Sequence, residues 1–158
     1  MVSSNDEDAM VTTESTRGDP RPDVMLLRID EPTELHDGDV LGAGTQWMTF
    51  QAARGGRPGR LCLLDARGRV ELGITLRGPA LSLGREAGDV IMPWDDALAE
   101  LHMRVLVRRD GTFLQDLATA SGTWVVVREG EALATGSVIA IDGRLLRVST
   151  PPHVLVAA

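Results

Sequence analysis

The sequence predicts an all-β protein: a β-sandwich of antiparallel sheets, with an extra β-hairpin segment on its N-terminal side. Three observations predict it. From Val24 onward the chain is a succession of short, strand-length apolar runs. Turn chemistry separates these runs about every eight to twelve residues, which is the spacing of a sandwich. Only Trp94 to His102 leaves room for a helical turn, because Pro and Gly interrupt the other stretches.

The expected strands follow in order. Val24 to Ile29 is the first. Asp39 to Leu41 and Gln46 to Gln51 form a hairpin pair. Arg60 to Leu64 and Val70 to Leu76 flank a turn at Asp65-Ala66-Arg67-Gly68. Ala80 to Leu83, Val90 to Met92, Met103 to Val107, Thr112 to Leu117 and Thr123 to Val127 come next. Val138 to Ile141 and Arg144 to Val148 close the set, joined by Asp142-Gly143. An Asp-Gly pair between two apolar runs is a strong hairpin signal, because a type I′ turn needs positive φ at both central residues.

Composition narrows the function. The chain has 158 residues, with 16 Lys and Arg against 23 Asp and Glu, for a net charge of −7. Affinity for a nucleic-acid backbone comes from cations neutralising phosphates, so no nucleic-acid partner is expected. Cys62 is the single cysteine. It lies in the run Leu61 to Leu64 and reads as a small buried hydrophobe. No basic-then-apolar leader and no membrane-length apolar run is present, so a soluble, cytoplasmic chain without membrane partners is expected.

An internal repeat runs without gaps. Leu35-His36-Asp37-Gly38-Asp39-Val40-Leu41 lies over Leu133-Ala134-Thr135-Gly136-Ser137-Val138-Ile139, and Trp47-Met48-Thr49-Phe50 over Leu145-Leu146-Arg147-Val148. Glu31 falls on Glu129 at the same offset. The expected organisation is therefore a disordered acidic tail over 1–23, a partial repeat of closing strands over 24–51, a linker over 52–58, a complete sandwich over 59–150 and a C-terminal tail over 151–158. A third of a sandwich cannot bury its own apolar face, so 24–51 must pack on the complete unit or on a partner chain. Trp47 and Phe50 are candidates for that contact, although the simpler expectation is that they extend one larger core. In the tail, Thr12 and Thr13 are candidate phosphorylation sites for a Ser/Thr kinase.

The remaining motifs run in a definite order. Leu83-Gly84-Arg85-Glu86 precedes Gly88-Asp89-Val90-Ile91-Met92-Pro93. His102 follows, then Leu114-Gln115-Asp116-Leu117 leading into Thr119-Ala120-Ser121-Gly122-Thr123, and then the Asp142-Gly143 hairpin. As an ordered set, covering roughly residues 59–149, they resemble the forkhead-associated (FHA) family, a β-sandwich that reads phosphothreonine. The chain is similar to a divergent member with a partial FHA-like repeat in front.

The resemblance implies roles. Arg85 contacts phosphate, and its planar fork of donors suits that task; the competing reading is an ion pair with Glu86 or Asp89. Gly84 permits a sharp turn at a strand end. His102 braces the binding loops, Asp116 is structural, and Thr119 offers its hydroxyl to a phosphate. Gly122 permits the tight turn. Three positions depart from the family. Ala99 stands where Ser is usual, Glu100 where Arg or Lys is usual, and Ser121 where Asn grips the bound peptide. A charge-assisted hydrogen bond contributes about 1.5–3 kcal/mol. Losing two such contacts costs about 3–6 kcal/mol, or at least about a hundredfold in affinity.

The expected function is a non-catalytic, bacterial-type protein–protein interaction module or adaptor with weakened or lost phosphothreonine dependence. Its partner-binding residues are Arg85, Glu86, Ala99, Glu100, Thr119, Ser121 and Gly122, and its partner is a protein that is phosphorylated or bare. One alternative is a working phosphothreonine reader in bacterial Ser/Thr kinase signalling, with Arg104 or Arg109 replacing a lost donor. Another is a structural subunit of a larger assembly, with oligomerisation through an open strand edge. There is no phosphate loop ending in Lys-Ser or Lys-Thr, no nucleophile elbow and no His-Glu-x-x-His. His36, His102 and His153 lack ligand spacing, and Asp37/Asp39 and Asp95-Asp96 lack that of a Ca²⁺ loop, so the aspartates read as turn residues. No catalytic residue, metal or cofactor is expected.

Overall fold

The structure is a computed structural model that describes residues 10–16 and 24–149. Among the described residues there are fourteen strands and no helix. The strands are β1 (Met10–Thr16), β2 (Leu26–Arg28), β3 (Thr33–Leu35), β4 (Val40–Ala43), β5 (Gln46–Gln51), β6 (Arg60–Leu64) and β7 (Val70–Thr75), followed by β8 (Ala80–Gly84), β9 (Val90–Ile91), β10 (Met103–Arg108), β11 (Gly111–Asp116), β12 (Thr123–Val126), β13 (Val138–Ile141) and β14 (Arg144–Ser149). The chain is an all-β sandwich protein, as its alternation and turn chemistry predict. Trp94 to His102 holds consecutive turns, with Asp95 N–H donating to Met92 O and Leu98 N–H to Asp95 O.

Two compact units are present. The larger, Ile29–Val125, is a two-layer sandwich. One layer runs β12-β4-β5-β6-β7 and the other β3-β11-β10-β8-β9. All neighbours are antiparallel except β8 and β9, which are parallel. The apolar residues facing inward from both layers form one core, in which Leu41, Met48, Leu61, Leu83, Val105 and Leu114 are fully buried. Each large side chain removed from water contributes about 1.5–3 kcal/mol. Phe50 lies in this core, and Trp47 packs flat over Gly42, whose missing Cβ leaves room for the indole. Cys62 is fully buried, as its apolar run suggests.

The smaller unit comprises β1 and β2 with the C-terminal hairpin, in the order β1-β14-β13-β2. Leu26, Ile139, Ala140 and Val148 are its buried apolar residues. The β13–β14 turn has the geometry its dipeptide predicts, with Asp142 at φ +50° and Gly143 at φ +74°.

The boundaries differ from those expected. Residues 24–51 do not form a separate partial repeat beside a complete 59–150 unit. Strands β3, β4 and β5 lie inside the sandwich in cis: β4 pairs with β12, β5 with β6 and β3 with β11. The N-terminal copy of the repeated hairpin thus closes the sandwich, and the C-terminal copy, β13–β14, belongs to the other unit. Nor is 52–58 a plain linker. Arg54 and Arg57 exchange backbone hydrogen bonds around Gly55-Gly56, both at positive φ, which makes a tight turn. Within the expected tail, Met10–Thr16 forms β1 against β14, opposing Thr12 to Arg147 and Thr13 to Leu146. The rest of the 1–23 tail, and the 151–158 tail, lie outside the described residues.

Candidate functional site

Three loops of the larger unit meet at one place, and the residue types explain why. Strand β8 ends at Gly84, where a Cβ would overlap Glu100 O and lie 2.6 Å from Ala87 O. Only glycine lets the loop after β8 press against the segment before β10. Three backbone bonds then join them: Arg85 N–H to Ala99 O at 2.9 Å, Glu86 N–H to Glu100 O at 3.1 Å and Ala87 N–H to Glu100 O at 3.0 Å.

His102 ties the third loop to these two. It is fully buried. Its Nδ1 accepts the Ala99 N–H at 3.0 Å, so the ring proton sits on Nε2, which donates to Gly122 O at 2.8 Å. Its own N–H donates to Leu83 O, and its carbonyl accepts Leu117 N–H. The imidazole therefore joins the segment before β10 to the turn before β12, and the His102 backbone holds the ends of β8 and β11.

That turn is built on Asp116. Its Oδ1 accepts the hydroxyls of Thr119 at 2.7 Å and Thr123 at 2.8 Å, and its Oδ2 accepts Thr119 N–H at 3.1 Å. The Thr119 oxygen also accepts Gly122 N–H at 3.0 Å. Ala118 and Gly122 take positive φ, +58° and +82°, where the chain reverses. Ser121 Oγ donates to Ala97 O at 3.0 Å, and buried Trp124 donates its indole N–H to Ser121 O at 2.9 Å.

Arg85, Glu86, Ala99, Glu100, Thr119, Ser121 and Gly122 are thus brought to one end of the sandwich, but their polar groups are largely committed. Thr119 is buried, and its hydroxyl serves the turn. Arg85 Nη2 lies 3.5 Å from Glu86 Oε1, while its Nε is buried and has no hydrogen-bond partner. Ala99 contributes only backbone, and Glu100 is exposed. Arg109 sits in the β10–β11 turn, at the end of β10 away from His102, so it does not reach this loop end.

Asp89 does not reach for Arg85. It closes the β8–β9 loop, accepting Ser82 N–H at 2.9 Å and the Ser82 hydroxyl at 3.1 Å. The Ser82 backbone bond, joined by the hydroxyl, holds its carboxyl below the ordinary aspartate value.

Two features escape sequence reasoning. Asp95, read as a turn residue, is buried and collects donors from the β4–β5 turn. Its Oδ2 accepts Thr45 N–H and Thr45 Oγ1 at 2.9 Å each and Gln46 Nε2 at 3.0 Å, and its Oδ1 accepts Ala97 N–H at 3.0 Å. Burial pushes its carboxyl up, but the bonds from Gln46, Thr45 and Ala97 outweigh it and leave the value lowered. The second feature is a concavity of about 560 Å³ at the β5–β6 turn, where Arg54, Arg57 and Arg60 gather around Asp37 and Gln51. Arginines at every third position along 54–60 are its only trace in the sequence.

Among the described residues, no group of three or more His, Cys, Asp or Glu is arranged to hold a metal ion. No helix among them is long and apolar enough to cross a membrane. No family model matches the sequence, and neither does any curated protein.

Proposed function

We propose that the chain is a non-catalytic protein–protein interaction module of forkhead-associated type, cytoplasmic and bacterial in kind, whose loop end binds a protein partner without depending on phosphothreonine. The motif order supports the family assignment, and the two-layer sandwich is compatible with it. One observation carries the loss of phosphate dependence. The hydroxyl that the family resemblance assigns to phosphate, Thr119, is buried and bonded to Asp116 and Gly122 N–H, with a methyl group at Ala99 and an anion at Glu100 completing the rim. A dianion there meets one paired arginine and a carboxylate, which gives weak attraction in place of a charge-assisted clamp.

The alternative, a working phosphothreonine reader linked to a Ser/Thr kinase, is favoured by one detail. The buried Arg85 Nε lacks a partner, and an unpaired buried donor invites an acceptor. Titrating matched phosphorylated and unphosphorylated threonine peptides against the wild type and Arg85→Ala separates the two readings. The interaction-module reading expects equal, weak binding of both peptides by both proteins. Binding that requires the phosphate and falls at least tenfold in Arg85→Ala replaces it with the alternative. Kinase action on Thr12 or Thr13 would meet a strand already paired to β14.

A further inference from the structure

The larger unit has a second charged feature, at the end of the sandwich away from His102. Strand β5 ends there at Gln51 and β6 begins at Arg60, and the concavity of about 560 Å³ opens on the connection between them. Strand β5 fixes which end this is. Its first residues seat the β4–β5 turn on Asp95 beside the loop end, so its last residues lie at the opposite end. Arg54, Arg57 and Arg60 line the concavity with one carboxylate, Asp37, which leaves a formal charge of +2 on a chain whose net charge is −7.

The backbone holds these cations in place. Arg54 N–H donates to Arg57 O at 3.0 Å, and Arg57 N–H donates to Arg54 O at 2.9 Å. Residues paired in this way send their side chains to the same face of the ribbon. Like charges directly opposite each other repel, yet the Gly55-Gly56 turn, at φ +58° and +78°, imposes the pairing. The strap to Arg60 is anchored too. Gly59 is buried, its carbonyl accepts Leu76 N–H at 2.9 Å, and a Cβ on it would lie 3.0 Å from Gln51 O. Arg60 lays its guanidinium across β7, where a Cβ at Gly73 would overlap it.

The neutralising groups fall short. Asp37 Oδ1 accepts Ala52 N–H at 2.9 Å, and its Oδ2 lies 3.6 Å from Arg54 Nη2. Elsewhere Arg69 sits beside Asp65, Arg85 beside Glu86 and Arg128 beside Glu131. Among the described residues, Arg57 and Arg60 have no such ion pair. The concavity is also open: its three arginines are exposed, and no aromatic side chain lines it. Small-molecule sites are enclosed and walled mostly by apolar side chains. An open cationic surface without such walls suits an extended chain that brings its own negative charges.

We propose that this concavity is a second binding site, and that its ligand is an acidic peptide segment of a protein partner, carrying one carboxylate for Arg57 and another for Arg60. The planar fork of an arginine takes a carboxylate in two parallel hydrogen bonds. Asp37 is a built-in competitor, because it holds Arg54 back from the ligand. The proposal is independent of what the loop end binds.

Calorimetric titration of the full chain tests it, with three probes: a short peptide of alternating glutamate and serine, its glutamine counterpart, and inorganic phosphate. The proteins are the wild type, the double variant Arg57→Gln/Arg60→Gln, Asp37→Asn and Arg85→Ala. The wild type should bind the glutamate peptide and not the glutamine one, and the double variant should bind it at least about tenfold more weakly. Asp37→Asn keeps an acceptor for Ala52 N–H but removes the competing charge, so it should bind about threefold more tightly, a gain that a damaged fold would not give. Arg85→Ala should match the wild type, which separates this site from the loop end. A wild type that does not bind the glutamate peptide overturns the proposal. So does binding that survives in the double variant, weakens in Asp37→Asn or is lost in Arg85→Ala. Binding of phosphate without the peptide would assign the arginines to a single oxyanion and overturn it equally.

Discussion

Hairpins β4–β5 and β13–β14 share register and a two-residue turn, yet they occupy different units. The difference lies in three residues. Gly44-Thr45-Gln46 fits against Asp95 and Leu98, whereas Asp142-Gly143-Arg144 makes a turn whose Asp142 is exposed. Register makes either hairpin a plausible closing element, and turn chemistry assigns the address. An alternation pattern specifies which face of a strand is buried, but it does not distinguish two strands with the same alternation.

The sharpest way to break this comparison is to give one hairpin the other's residue. Gly44→Asp combines positive φ, a blocked Cβ and a second carboxylate at a buried anion. The expected loss is about 3–5 kcal/mol in urea unfolding followed by tryptophan fluorescence. A loss below about 1 kcal/mol would mean that the turn does not seat on Asp95.

A middle-sized effect comes from the other side of the contact. Asp95→Asn keeps the shape but turns a charged acceptor into a neutral one, at an expected cost of about 1–3 kcal/mol near neutral pH. The folded-state pKa of Asp95 is lowered, so its stabilisation is present above the unfolded value, about 3.9, and is lost as pH falls through the lower folded value. The gap in unfolding midpoint between wild type and Asp95→Asn should therefore close as the solution is acidified below about pH 4. A gap that stays constant through that range would show that the charge on Asp95 contributes nothing.

The smallest effect belongs to the free turn. Asp142 is exposed at φ +50°, where glycine is at least as comfortable. Asp142→Gly should change stability by no more than about 0.5 kcal/mol. A large loss there would mean that the C-terminal turn has a docking partner of its own.

Most of the fold was legible. Apolar alternation located twelve of the fourteen strands to within a few residues, and Asp142-Gly143 identified its turn. Strands β1 and β3 were not legible. Met10–Thr16 is rich in hydroxyls and does not alternate, and Thr33–Leu35 is three residues immediately after a proline. Which hairpin closes the sandwich was hidden for a different reason. Gly44 and Asp142 differ plainly in sequence, but the difference has meaning only beside Asp95, fifty residues away in the chain. At the loop end, Gly84 stood out because a sharp turn needs that residue type, and His102 because the resemblance gives it a bracing role. The commitment of Thr119 to Asp116 did not, since a threonine in a turn reads equally well as a ligand donor or as a turn cap.

Because Cys62 is the only native thiol, the address of each hairpin is read most directly by giving it one partner at a time. Thr49 lies opposite Cys62, and Arg147 is its equivalent in the C-terminal hairpin. Under mild oxidation the Thr49→Cys variant should form a 49–62 disulfide, and the Arg147→Cys variant should leave Cys62 free. A 147–62 disulfide in the second variant would show the C-terminal hairpin beside β6 and contradict the role assigned to Asp95.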